Sequence, residues 1–266
     1  MINDRKELSG IPQQFGNLVA LTKGSESVHL GVPSVFVSSM VQFQPLFEID
    51  LYKRGKKLEI EPLEFEESAM EWHAHFFIPE VRIFLDQRVI VSGDQIALRL
   101  EASGDGVMSS GELEVFLTGA LLFSPQGIPY HWKKEAEVAF QAQDTKLFMT
   151  WRDLRMFIDF PKTPLLTSLF KLSEDDILMD KYFETFNAKP RYRYWVTRKV
   201  RERLSSTSAQ NANLYSTFSA RNTAYFVKIP WIPKEDNSLE LLFGVSYKED
   251  NHSRKDFFTL RNQKLE

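Results

Sequence analysis

The feature that most constrains this chain is a series of short segments in which apolar and polar residues alternate. In Phe47-Glu-Ile-Asp-Leu51 every second side chain is apolar, and the alternation resumes in Leu58-Glu-Ile-Glu61. A period of two sends alternate side chains to opposite faces of an extended strand, so each segment reads as a half-buried β-strand. The charged stretch Lys53-Arg-Gly-Lys-Lys57 lies between them as a turn. The spacing therefore predicts an antiparallel pair over 46–52 and 58–65. Pro62, which has no amide hydrogen to give a ladder, marks an edge position or a strand end.

The same pattern predicts strands at Val81–Leu85, Arg88–Val91, Gln95–Glu101, Glu112–Thr118, Ala136–Gln141 and near Lys146–Thr150. Turn chemistry separates them, in Ser92-Gly-Asp94, Ser103-Gly-Asp-Gly106 and Ser109-Ser-Gly111. Asp86-Gln-Arg88 reads as an ion-paired turn with no chemistry attached. No 12-residue helical pattern interrupts this run, which excludes repeated βαβ units and favours a β-sandwich or jelly-roll-like body. The 22 Phe residues suit sheet faces, where each ring covers much area.

The second half reads as mixed. Ser173-Glu-Asp-Asp176 resembles a capping box ahead of Ile177, Leu178, Tyr182 and Phe183, which recur at helical spacing. A second helix is expected over Tyr192–Leu204, and strands resume at Thr223–Ile229 and Leu239–Tyr247. Residues 1–30 read as an irregular arm or covering loop. The fold expected is mainly β with a short helical segment in the second half, α+β being the alternative. It is organised either as a β-rich lobe over 1–150 and a mixed lobe over 151–266, or as one body over 1–266.

The chain's formal net charge is −3, so any site for nucleic acid or an anionic surface must be a local patch. With no cysteine, disulfides, thiolate nucleophiles and cysteine-based zinc sites are excluded. The charged N-terminus lacks the apolar core of a signal peptide, and no window approaches 18 apolar residues. A cytoplasmic location without a transmembrane segment is therefore expected.

One local basic patch is present. Between residues 189 and 203, Lys189, Arg191, Arg193, Arg198, Lys199, Arg201 and Arg203 face a single acid, Glu202, with Tyr192, Tyr194 and Trp195 interleaved. Cationic side chains neutralise phosphates and exposed rings stack on unpaired bases, so this pattern suits single-stranded nucleic acid. An acidic partner or lipid surface fits the same charge. On a helix, Arg191, Arg198 and Arg201 would fall near one face. The solvated charged face of an ordinary element is the alternative.

A second constellation is His73-Ala-His75 with Glu80, followed by His131 after the turn Pro125-Gln-Gly127. On a strand, the two imidazoles point the same way and can converge with a carboxylate on one cation. These segments resemble fragments of the two cupin motifs, a resemblance that covers about 60 residues. It implies a jelly roll holding a catalytic metal on His73, His75, Glu80 and His131. The pattern's glycines before His73 and after Glu80 are absent, Gln87 standing in the second place, and His131 comes one residue late. The three imidazoles are accordingly expected not to share an ion, and no cofactor is expected.

The run Glu59, Glu61, Glu64, Glu66, Glu67 and Glu71 reads as the wet face of a strand rather than paired catalytic carboxylates. Glycine-rich phosphate loops and a nucleophile elbow are absent. The leading expectation is thus a non-enzymatic binding or structural protein that contacts nucleic acid or another anionic surface through 189–203. A cupin-like metal enzyme and a self-assembling, homo-oligomeric scaffold of viral type are the alternatives.

Overall fold

The computed structural model describes residues 12–15, 18–21, 30–32, 34–37, 41–43, 45–68, 71–123, 138–152, 154–164, 166–172, 177–183, 190–196, 218–220 and 222–246. Alternation becomes strand wherever the described residues carry it, and every pairing among them is antiparallel. The first sheet begins with β1 (Pro12–Phe15), β2 (Leu18–Leu21), β3 (Gly31–Val32), β4 (Ser34–Phe36) and β5 (Val41–Phe43). It continues with β6 (Phe47–Lys53), β7 (Lys56–Lys57), β12 (Leu113–Phe123), β16 (Leu166–Lys171) and β20 (Thr223–Trp231). In the second sheet lie β8 (Glu61–Glu67), β9 (Glu71–Ile78), β10 (Ile83–Ser92), β11 (Gln95–Ser103) and β13 (Val138–Gln143). Its other strands are β14 (Lys146–Trp151), β15 (Leu154–Asp159), β19 (Phe218–Ala220) and β21 (Ser238–Ser246). A separate hairpin joins β17 (Ile177–Phe183) to β18 (Pro190–Val196).

The two large sheets close on one apolar core, because each turns its alternate apolar residues inward. Trp72, Ala74, Phe76 and Ile78 of β9 are buried, and so are Val115, Leu117 and Leu121 of β12. Phe43 of the first sheet meets Phe243 of the second edge-on, with ring centroids 5.0 Å apart. Gly119 leaves the space that the Tyr225 ring fills; a Cβ there would lie 2.1 Å from that ring. The buried Tyr225 hydroxyl donates to the Leu46 carbonyl, and burial pushes its pKa well above the usual phenol value. Gln87 also points inward, and its Oε1 accepts the Gly31 amide at 2.6 Å, so a polar link crosses the core.

Several expectations change in detail. The turn at Arg54–Gly55 forms with φ of 52° and 75°, as a tight hairpin of right-twisted strands requires. The pairing ends, however, where the Leu58 amide donates to the Leu51 carbonyl. The chain then crosses to the second sheet, so β8 pairs with β9 and not with β6. Pro62 does lie on an edge, since β8 is the last strand of that sheet. Val81–Leu85 and Arg88–Val91 are not two strands around a turn at Asp86: Val81 and Arg82 lie in the turn after β9, and β10 runs unbroken from Ile83 to Ser92. The expected irregular arm contains β1 and β2.

The two helices expected in the second half are corrected as well. Ile177–Phe183 and Pro190–Val196 are the paired strands β17 and β18, with Asp180 opposite Arg193 and Lys181 opposite Tyr192. The run Arg-Tyr-Arg-Tyr over 191–194 has a period of two, and Tyr, Trp and Val favour extended backbone. Pro190 takes the first place of the strand, where its missing amide hydrogen does least harm. Residues 173–176 and 197–204 lie outside the described residues. No helix among the described residues is long and apolar enough to cross a membrane.

Candidate functional site

The outer face of β8–β11 gathers the richest set of chemical groups among the described residues. Since β9 buries its even-numbered residues, Glu71, His73, His75 and Phe77 point outward and are half-buried. The hairpin register sets Phe84 opposite Phe77, Asp86 opposite His75 and Arg88 opposite His73. One strand further on, Ser103, Glu101 and Arg99 continue these three rows. On the other side Glu61, Glu64 and Glu66 stand opposite Phe77, His75 and His73.

The rows differ in how far their polar groups are already engaged. Glu71 Oε1 takes His73 Nε2 at 2.6 Å and also the Arg88 guanidinium. Partial burial pushes the Glu71 carboxyl up, but the bonds and charges of Arg88 and His73 outweigh it and hold the pKa below the ordinary value. Arg99 reaches Glu101 at 2.8 Å and Glu240 at 3.6 Å. In the next row His75 Nδ1 lies 3.8 Å from Asp86 Oδ2, too long for a direct hydrogen bond. Both of these side chains are open to solvent, at 40% and 45% exposure. Beyond them the Phe77 and Phe84 rings pack together at 4.8 Å, and Phe84 remains 47% exposed. At the opposite end the face is apolar and closed, where Ile90, Ala97, Phe157 and Leu242 are buried.

A second feature is a cleft of about 270 Å³ beside the crossing from β7 to β8. Leu58 and Phe76 form part of its floor, and Asp50 and Lys57 close one side with a 2.6 Å ion pair.

The histidine constellation does not form the expected set. His73 and His75 share a face, as alternation requires, yet their acidic partners are Glu71 and Asp86. Glu80 is in the turn beyond β9, where its Oε1 accepts the Glu59 amide at 3.2 Å. His131 lies outside the described residues, and among these no three His, Asp or Glu groups are placed to hold an ion. Of the basic segment, Arg191, Tyr192, Arg193 and Tyr194 lie on β18. The helical grouping expected for Arg191, Arg198 and Arg201 is therefore lost at its first member. Lys189, Arg198, Lys199, Arg201 and Arg203 lie outside the described residues.

Sequence reasoning passed over Phe77, Phe84 and the Glu71–Arg88 link. The signal that finds them is hairpin arithmetic. In the β9–β10 register the paired numbers add to a constant, as 77 and 84 or 73 and 88 each give 161.

No protein-family model matches the chain, and no curated protein matches it. Among solved structures it is similar to a bacterial glucoamylase complexed with acarbose, at 8% identity and a TM-score of 0.50. That similarity covers 91% of this chain and 34% of the glucoamylase, so the chain spans about a third of that protein's length. Similarity to a putative aldose 1-epimerase from Escherichia coli K12 covers 90% of this chain and 99% of that one, at 8% identity and a TM-score of 0.39.

The glucoamylase likeness shows the fold, and it corrects the functional expectation. An architecture that takes up nine-tenths of this chain recurs within a carbohydrate enzyme. The reading as a non-enzymatic protein built to contact nucleic acid or an anionic surface, or as a viral-type scaffold, is overturned. It rested on charge and strand count, neither of which is specific to those classes.

Proposed function

We propose that this chain is the β-sandwich part of a carbohydrate-active protein and that it engages neutral oligosaccharide. The observation that carries the reading is the shared fold, extending over 91% of this chain, with part of a glucoamylase complexed with acarbose. The outer face of β8–β11 supports it chemically. Carboxylates, imidazoles and guanidinium groups lie in rows beside the half-buried Phe77 and exposed Phe84 rings, which suits ligands that carry many hydroxyls on an apolar ring.

Isothermal titration of the full chain with acarbose and a panel of neutral gluco-, manno- and xylo-oligosaccharides tests the proposal. Saturable binding of at least one sugar is expected. Heats no larger than dilution across the whole panel would contradict it.

A further inference from the structure

We infer that the Phe77–Phe84 pair is an aromatic platform for one pyranose ring of a neutral glycan, with His75 and Asp86 binding that ring's hydroxyls. This rests on the carbohydrate reading above and adds the site and the class of ligand.

The first observation is the exposure of Phe84. It is 47% exposed on a strand whose inward neighbours Ile83 and Leu85 are fully buried. A single exposed apolar side chain is ordinary on a surface, so what marks Phe84 is a ring held in place. Phe84 is so held. Phe77 packs on it with an interplanar angle of 34°, and the loop after β11 closes from the other side. There Gly104 adopts φ 99°, and a Cβ at that position would come within 3.2 Å of the Phe84 ring. The same loop is fastened by the Gly106 amide, which donates to the Arg82 carbonyl at 3.2 Å. A ring fixed before binding loses little freedom when a ligand arrives.

The second observation is the unspent hydrogen-bonding capacity beside the platform. His75 and Asp86 are two residues along from Phe77 and Phe84 on the same face, about 7 Å away at the usual rise of a strand. That distance is on the order of one pyranose ring with its hydroxyls. Their 3.8 Å separation leaves lone pairs and a ring N–H open, while the next row is already joined in the Glu71–His73–Arg88 cluster. A sugar has an apolar C–H face and a polar rim, and the site offers an aromatic surface bordered by a carboxylate and an imidazole. The pair is too small for a stable protein interface of roughly 800 Å² per partner.

The test uses the full chain and maltoheptaose as the probe, with titration calorimetry of four proteins. Phe84→Ala is expected to weaken binding about two- to twelvefold, as loss of one stacked ring implies. Asp86→Asn is expected to weaken it, and Phe84→Tyr to keep wild-type affinity. Because the ring is half exposed, Phe84→Ala should melt within a few degrees of the wild type, so lost binding reports the contact. Wild-type affinity in Phe84→Ala would overturn this inference while leaving the carbohydrate reading in place. Failure of the wild type to bind any sugar of the panel would remove that reading and this site with it. If Phe84→Ala instead abolishes self-association that sugar does not disturb, the platform belongs to a second copy and the inference falls.

Discussion

Glu71 shows how one side chain on the outer face couples charge to stability. Its side chain is only 13% exposed, and its carboxylate meets the Arg88 guanidinium and the His73 ring. The folded pKa lies below the ordinary carboxylate value, so the ionised form adds stability at neutral pH. That contribution is lost as the pH falls through the depressed folded value. Glu71→Gln removes the charge that the Arg88 guanidinium meets here. The variant should lose about 1–2 kcal/mol at pH 7, the site being still near solvent. Its stability should also fall less steeply than the wild type's between neutral pH and the acid range. Urea melts from pH 7 down to pH 3 check both, and parallel curves for the two proteins would contradict the role.

At the scale of elements, the edge strand β8 shows what keeps an open ladder from pairing with a neighbour. Glu61, Glu64 and Glu66 are exposed along it, and Pro62 removes one donor. Charge and proline on an edge discourage pairing between molecules. Pro62→Val with Glu64→Val and Glu66→Val should therefore raise the apparent mass in light scattering at micromolar concentration; an apparent mass equal to the wild type's would contradict this. The wet face of this strand was legible in its alternating glutamates, and so were the edge position of Pro62 and most later strands. The partner of β8 was not, because Leu58–Ile60 carry the chain between sheets without any local signal. The β17–β18 hairpin was misread for a related reason. Ser173–Asp176 and the Lys/Arg-rich run satisfy local rules for helix starts and helix faces, while the strand is settled by pairing across the hairpin, which no single segment reveals. The candidate platform was hidden in the same way. Phe77 and Phe84 read as ordinary core rings until the register places them together on the solvent side.

At the scale of the molecule, the order of strands ties early and late sequence together. β21 lies between β15 and β11, and β20 pairs with β12, so each large sheet is completed by residues beyond 222. Such long-range pairing gives slow folding, since distant segments must meet before most contacts form. The shared core makes the two sheets mutually dependent, with Phe43 and Phe243 at one crossing and Gln87 and Gly31 at another. A boundary near residue 150 would allow the two parts to melt separately, whereas one core predicts a single transition. Phe43→Ala discriminates, because the ring is fully buried and its loss leaves a cavity touching both sheets. The expected cost is about 3–5 kcal/mol. Far-UV circular dichroism should shift to lower denaturant in step with fluorescence of the five tryptophans, among them Trp231 in the first sheet and Trp72 and Trp151 in the second. Two transitions, with only one displaced by the substitution, would show that the sheets are not held by one core.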